Sequence, residues 1–288
     1  ATAGWPPFVA RPQRLAWLLV ALGAALALLG PLVAIRDQPW QLIAPLQQAA
    51  APVVDRLGET INPNILAGAL VVLLPLTVAL ALPLPKPAGF TGGTTGRRWP
   101  VQVALLSLAA LMLGVILLAD SRGAVLAADA ALLLVLCLRW PRLLWGVLLV
   151  GGLAALWLWW RGDMGLLERL GSGGAIGGLD ERLEIWLRAL YAIQDFSFTG
   201  VGLGAYNQVI PLLYPYFLIP PSVDIPHAHN LLLQVAVDLG IPGLIAWLAL
   251  LLVVVVEAGR CLRHAPVAAT WAIVVGVLGG LAAMLVHG

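Results

Sequence analysis

The sequence predicts an all-α polytopic membrane protein: a bundle of about seven transmembrane helices with one long helical loop outside the membrane. Of the 288 residues, 61% are hydrophobic and 10% are charged, and the mean hydropathy is +0.96. A soluble domain of this size carries roughly a quarter charged residues. The basic residues flank the apolar runs and form no patch, so the composition argues against a soluble protein and against a nucleic-acid partner.

Seven apolar runs have the length and low charge of membrane-spanning helices. They lie at residues 15–35, 64–84, 101–119, 123–138, 143–160, 241–257 and 267–286. The two cysteines, Cys137 and Cys261, fall near the ends of spans, and no disulfide framework is predicted. Residues 1–288 are predicted to form a single transmembrane domain, truncated at both ends because the chain begins without Met and stops immediately after a span.

The Lys and Arg residues of the loops predict the orientation. The N-terminal flank and three loops hold nine basic residues and one acid, and these segments are predicted to be cytoplasmic. The nine are Arg11, Arg14, Lys86, Arg97, Arg98, Arg139, Arg142, Arg260 and Arg263. The long segment 161–228 instead holds four arginines against seven acids. It is therefore predicted to be external or periplasmic.

The long loop is predicted to contain an amphipathic helix at about 181–195, capped by Asp180 and lying on the membrane or on the bundle. One apolar stripe is expected at helical spacing, with Glu181, Glu184, Arg188 and Asp195 elsewhere on the surface. The stripe comprises Leu183, Trp186, Leu187, Leu190 and Ile193. The glycine-rich run 200–204 has no preceding strand and is predicted to be a flexible turn, not a dinucleotide site.

Polar residues gather just after this loop, in the segment PHAHNLLLQVAVDLGIPG at 226–243. A single helix from His229 to Val256 would be about 42 Å long, against a hydrocarbon core of about 30 Å. The Gly-Ile-Pro-Gly sequence starting at Gly240 predicts a break. We therefore expect an interfacial half-helix at 229–239 that begins at His229 and places Asn230, Gln234 and Asp238 on one face.

Two other interpretations of this segment stay open at this stage. The half-helix is equally consistent with a capped interfacial helix whose polar face meets water. A metal site formed by Asp224, His227 and His229 is conceivable, although their spacing matches no recognised ligand pattern.

Other polar groups lie at or within the spans. Arg122 follows Ser121 in a tight turn, and its planar guanidinium could bind phosphate oxygens. Alternatively, its side chain extends to the membrane interface or pairs with Asp120. Asp129 falls inside the fourth span, as an interior hydrogen-bonding group or part of a polar cavity. Asn62-Pro63 resembles a water-channel half-helix, but the pattern occurs once and is explained as a helix N-terminus.

Taken in chain order, several short motifs resemble the O-antigen ligase and O-antigen polymerase superfamily. They are NPNILAG, SRG, RLEIW with ALYAI, GVGLGAY, and HN followed after nine residues by GIPG. The most specific is the last, carried by His229, Asn230, Gly240 and Gly243. The resemblance covers the chain from about residue 60 to its end.

The resemblance implies part of a larger GT-C-type bundle in the bacterial inner membrane. It implies a glycosyltransferase that needs no metal or other cofactor. The enzyme would move a glycan from undecaprenyl diphosphate to a hydroxyl on lipid A core, on a growing polysaccharide or on a protein. His229 would be catalytic, with Asn230 and Asp238 supporting it. Arg122, Arg182 and Arg188 would contact the diphosphate.

Two other classes of function remain possible at the level of sequence. A transporter or channel for a small solute would place its polar groups near the middle of the membrane, usually in repeated halves. A non-catalytic scaffold of a polysaccharide export system would leave the arginines and His229 facing solvent or lipid headgroups. In this sequence the polar groups gather at one face, which favours the transferase.

Overall fold

The computed structural model describes residues 12–34, 40, 43–57, 61–83, 99–161, 179–264 and 268–288. These residues form ten α-helices and no β-strand. The all-α fold is therefore confirmed. The chain divides into two compact units, Ala1–Pro141 with Glu257–His287, and Arg142–Val256.

The helices follow one another along the chain as α1 to α10. Their bounds are α1 Pro12–Val33, α2 Ala44–Leu57, α3 Pro63–Ala81, α4 Trp99–Leu118, α5 Arg122–Arg139, α6 Arg142–Arg161, α7 Leu179–Asp195, α8 Tyr206–Leu213, α9 Leu231–His264 and α10 Ala268–His287. The sequence did not predict α2, whereas the turn predicted at 200–204 lies between two helices, α7 and α8. Helices α2 and α8 are short, at 14 and 8 residues.

Five helical stretches of the described chain are long and apolar enough to cross a membrane, which supports the polytopic architecture. They are Pro12–Val33, Pro63–Ala81, Trp99–Leu118, Leu231–Arg263 and Ala269–His287. The remaining two predicted spans correspond to α5 and α6. Helix α5 is 18 residues long and carries Arg122, Asp129 and Arg139, while α6 contributes the shorter apolar stretch Arg142–Leu153.

Helix α3 lies at the centre of the first unit and packs against α1, α4, α5 and α10. Small residues of α10 allow the closest approach. A Cβ added to Gly276 would lie 2.6 Å from the Cα of Leu76, and one added to Gly280 would lie 2.8 Å from the carbonyl oxygen of Val72. Such contacts between small residues and backbone are typical of helix packing in membranes.

The N-terminus of α3 has the predicted chemistry. The Asn62 side chain accepts a hydrogen bond from the Asn64 N–H at 2.9 Å, and Pro63 occupies the first helical turn, where its missing N–H costs nothing. The interpretation of this motif as a helix N-terminus is confirmed. Asp180, by contrast, lies inside the first turn of α7, which begins at Leu179, and is not its cap.

Most of the predicted apolar stripe of α7 is exposed at the protein surface. Three of its leucines, at 183, 187 and 190, are exposed, and the buried face consists of Ile185, Ala189 and Ala192. This buried face joins a core in the second unit with Tyr206 and Ile210 of α8. Leucines directed at lipid have the same hydrophobicity as leucines directed at a core, so the pattern alone left open whether the stripe faces the membrane or the bundle.

Candidate functional site

His229 stands immediately before helix α9, which begins at Leu231 and not at His229 as predicted. The Asn230 side-chain oxygen accepts hydrogen bonds from the N–H groups of Leu232 at 3.0 Å and Leu233 at 3.1 Å. Asn230 is therefore the N-cap of the helix. His229 has a left-handed backbone with φ of 48° and is half-buried. The cap and this backbone turn fix the place from which its imidazole projects.

His227 lies against His229, although it was considered at the level of sequence only as a conceivable metal ligand. The two ring centroids are 4.2 Å apart, and the His229 N–H donates to Nδ1 of His227 at 3.1 Å. A neutral His227 therefore carries its proton on Nε2. Its side chain helps to hold the backbone from which His229 extends.

Gln234 links the histidine segment to Asp238. Its side-chain oxygen accepts from the Ala228 N–H at 2.7 Å, and its amide nitrogen donates to Oδ1 of Asp238 at 2.9 Å. We expected Asp238 to support His229. The hydrogen bonds that the structure gives Asp238 run through Gln234 to the residue before His229. The signal for Gln234 was its position four residues after Asn230 and four before Asp238.

The glycine turn at 200–204 packs against α9 where that helix is interrupted. Gly240 has φ of 70° and ψ of −177°, which no helix contains. The N–H groups of Val201 and Gly202 donate to the carbonyls of Val237 and Asp238 at 2.8 and 3.2 Å. The Ile241 N–H donates to the carbonyl of Ser197 at 2.7 Å. The turn thus provides partners for backbone groups that the interruption frees.

Replacing Gly240 with alanine is expected to destabilise the protein by about 1–3 kcal/mol, because its φ and ψ are essentially restricted to glycine. The new Cβ would also lie 2.7 Å from the Phe198 carbonyl oxygen. Gly259, in the same helix, has no atom within 4 Å of an added Cβ. Gly259→Ala should therefore stabilise by about 0.5–1 kcal/mol. Thermal unfolding in detergent compares the two, and an equal midpoint would contradict the strained interruption.

Glu184 and Arg188 of α7 hold the loop that follows α8. Glu184 is only 6% exposed, so its predicted surface position is wrong. Its carboxylate accepts from the N–H groups of Phe217 at 2.6 Å and Leu218 at 2.9 Å, and from Arg188 Nη2 at 3.1 Å. Arg188 Nε donates to the Pro215 carbonyl at 2.9 Å. Arg188 therefore forms an ion pair with Glu184.

Two tyrosines with buried hydroxyl groups lie at this loop and at the start of α8. The Tyr206 and Tyr216 hydroxyl groups have no hydrogen-bond partner of good geometry among the described residues. Burial raises the pKa of Tyr206, and Tyr216 and the negative charge of Asp238 raise it further. Burial also raises the pKa of Tyr216. Both phenols therefore stay protonated at neutral pH. Tyr206 is the last residue of the GVGLGAY motif, and this motif was the sequence feature that could have pointed to it.

Arg122 is exposed and begins α5, whose N-cap is Ser121. Arg182 is half-buried on α7. Asp129 is exposed on α5, so it is not an interior hydrogen-bonding group. Asp224, His227 and His229 do not form a metal-ligand cluster, and no such group of three occurs in the described part of the chain.

Comparison with known proteins finds a family match for the middle part of the chain. The model of a family described as O-antigen ligase matches residues 107–248, a range that includes Arg122, α7 and the histidine segment. No curated protein matches the chain in a sequence search. The family match supports a glycan-transfer role in lipopolysaccharide-related biosynthesis. Residues 107–248 therefore match the O-antigen ligase superfamily, as the order of the motifs predicted.

Proposed function

We propose that the protein transfers a glycan from an undecaprenyl diphosphate carrier to an acceptor hydroxyl, without a metal ion. The observation that carries this proposal is the position of His229. It lies within the O-antigen ligase match, on a turn fixed by the Asn230 cap and the contact with His227. A half-buried imidazole held in this way is suited to proton transfer near neutral pH.

In the proposed reaction, His229 takes the proton of the acceptor hydroxyl through one ring nitrogen. The acceptor oxygen forms a bond to the anomeric carbon of the donor glycan. The bond between that carbon and the phosphate oxygen breaks, and its electron pair leaves with undecaprenyl diphosphate. General-base assistance of this kind contributes roughly 10²- to 10⁴-fold in rate.

Arg122 and Arg182 are proposed to bind the donor diphosphate. Guanidinium groups match phosphate oxygens in geometry and stay charged at all physiological pH values, so they can stabilise the leaving group in place of a metal. We assign Arg188 a different part in the same site. Its contacts with Glu184 and Pro215 make it a positioning residue that holds the loop 215–218.

The proposed reaction takes place at the periplasmic face of the bacterial inner membrane, with the N-terminus of this chain in the cytoplasm. The distribution of Lys and Arg among the loops supports this orientation. The acceptor belongs to the class of glycan, lipid or protein hydroxyls, and the partners include membrane lipids. We also propose that residues 229–239 lie at the membrane–water interface.

The test is transfer of a glycan from an undecaprenyl-diphosphate-linked donor by the full-length protein in proteoliposomes containing EDTA. Arg122→Ala and Arg182→Ala should each lower the rate by roughly 10²- to 10³-fold, the cost of removing one donor of transition-state charge stabilisation. The lysine variants should recover part of that loss.

The matched control is Arg260→Ala, because Arg260 is exposed, pairs with Glu257 and lies in the last part of α9, which is predicted to be at the cytoplasmic side. It should transfer glycan at the unmodified rate. Loss of transfer in EDTA would overturn metal independence. Equal effects of the Arg122, Arg182 and Arg260 variants would overturn the assignment of the diphosphate site.

A further inference from the structure

Residues 196–223, which we call the uncharged segment, contain no Asp, Glu, Lys, Arg or His. The segment runs from the residue after Asp195 to the residue before Asp224, within the loop that the charge pattern places outside the membrane. A water-exposed segment of this length would carry about seven charged residues at the usual proportion. Its composition is that of a membrane-contacting segment.

Large apolar side chains of the uncharged segment point outwards. Phe217 is 85% exposed, Phe198 79% and Leu212 78%. Leu213 and Leu218 are also exposed. Four of these five lie between residues 212 and 218, which we call the apolar loop. Isolated exposed leucines are ordinary, but this concentration on one short loop marks a contact surface.

Several backbone groups of the apolar loop are hydrogen-bonded from within the protein. The Glu184 carboxylate accepts from the N–H groups of Phe217 and Leu218, and Pro215 has no N–H. The Tyr214 N–H donates to the Ile210 carbonyl at 2.8 Å. Water would satisfy these groups in an ordinary surface loop. In hydrocarbon each group needs a protein partner, and here a buried carboxylate provides it.

The uncharged segment also adjoins the apolar surface of a membrane-spanning helix. Ser197 and Phe198 line an open groove with Ile241, Pro242 and Ile245, at the start of the part of α9 that follows the interruption. Ile245 is exposed, as is most of this apolar helix. Because such a surface must face lipid, the segment begins next to the bilayer.

Tyr214 marks the polar edge of the loop. Its hydroxyl donates to Oδ2 of Asp195 at 2.5 Å, while its ring lies near that of Tyr191. Tyrosines with an apolar ring and a hydrogen-bonded hydroxyl are enriched where a membrane meets water. The Tyr214–Asp195 hydrogen bond therefore lies where the charged helix α7 meets the uncharged segment.

We infer that the apolar loop, residues 212–218, inserts into the adjacent leaflet of the bilayer and contacts lipid acyl chains. The Glu184–Arg188 pair holds the inserted loop by supplying the hydrogen bonds that lipid cannot. This anchoring is independent of glycan transfer and would hold α7 at the membrane surface.

Spin-label accessibility tests the inference in the full chain. Cys137 and Cys261 are replaced with serine, and a nitroxide is attached at Phe217→Cys or Leu212→Cys. The labelled proteins are reconstituted in phosphatidylethanolamine and phosphatidylglycerol vesicles without polyprenyl lipid. Collision with oxygen, which concentrates in hydrocarbon, is compared with collision with a water-soluble nickel chelate. The matched control is Gln194→Cys, because Gln194 is exposed on α7.

At both loop positions the oxygen-to-nickel collision ratio should be several-fold higher than at residue 194. A ratio equal to that at residue 194 would place the loop in water and overturn the inference. Low collision with both reagents would indicate that protein covers the loop, such as a second copy of the chain. If the ratio becomes high only after the undecaprenyl donor is added, the loop contacts the donor's prenyl chain and not the bilayer, which would also overturn the inference.

Discussion

His229→Ala should lower the rate of glycan transfer by roughly 10²- to 10⁴-fold, the contribution of a general base. His227→Ala should cost at most about tenfold, because a single hydrogen bond contributes about 0.5–1.5 kcal/mol. That bond is the one from the His229 N–H to Nδ1 of His227. Each variant removes one imidazole group, and the two positions are only two residues apart, so each variant is a control for the other. Initial rates in proteoliposomes at saturating donor measure the difference.

Both variants should unfold at nearly the same temperature as the unmodified protein, since the Asn230 cap and the Gln234 hydrogen bonds remain. Thermal unfolding therefore separates a chemical loss from a folding loss. Equal rates for the two variants would contradict a unique role for His229. Transfer by the His229 variant at more than a tenth of the unmodified rate would contradict its role as the base.

Local chemistry made some of these elements predictable from sequence. The Asn62 cap depends on residues one or two positions apart. The interruption at Gly240 depends on a glycine and on the proline two residues later, and the length of the apolar run required it. Each of these features is fixed by neighbours in the chain, so the sequence was sufficient to predict it.

Features that depend on distant partners were not predictable in the same way. Glu184 has the spacing of a surface residue, and only the Phe217 N–H, 33 residues further along the chain, explains its burial. The exposed leucines of α7 have the periodicity of a core face. Hydrophobicity does not distinguish lipid from protein interior, so periodicity located the stripe without saying what covers it.

At the level of sequence, His227 is only a conceivable metal ligand, because the resemblance points to His229 as the catalytic histidine. Its role depends on the left-handed backbone of His229, with φ of 48°, which turns the N–H of that residue back towards the His227 ring. A non-glycine residue in this conformation is uncommon, and the sequence carries no signal for it. The contact between the rings is therefore a finding of the structure.

Glu184→Ala should destabilise the protein by about 3–5 kcal/mol, because breaking a buried ion pair leaves the other charge uncompensated. The variant removes the acceptor for the Phe217 and Leu218 N–H groups and leaves the 13% exposed Arg188 side chain without its carboxylate. Glu184→Gln keeps the shape and one acceptor oxygen. It should cost less, about 1–3 kcal/mol, the penalty for an unsatisfied buried donor.

The expected fall in the unfolding midpoint of Glu184→Ala is on the order of 10 °C, at about 2–4 °C per kcal/mol for chains of a few hundred residues. Gln194→Ala, on the exposed surface of the same helix, should change stability by no more than about 0.5 kcal/mol. Thermal unfolding in one detergent ranks the three variants. If Glu184→Ala unfolds at the same temperature as Gln194→Ala, the carboxylate does not hold the loop. The loss of stability should be largest for Glu184→Ala, smaller for Glu184→Gln and smallest for Gln194→Ala. This order follows from the number of hydrogen-bond donors that each substitution leaves unsatisfied.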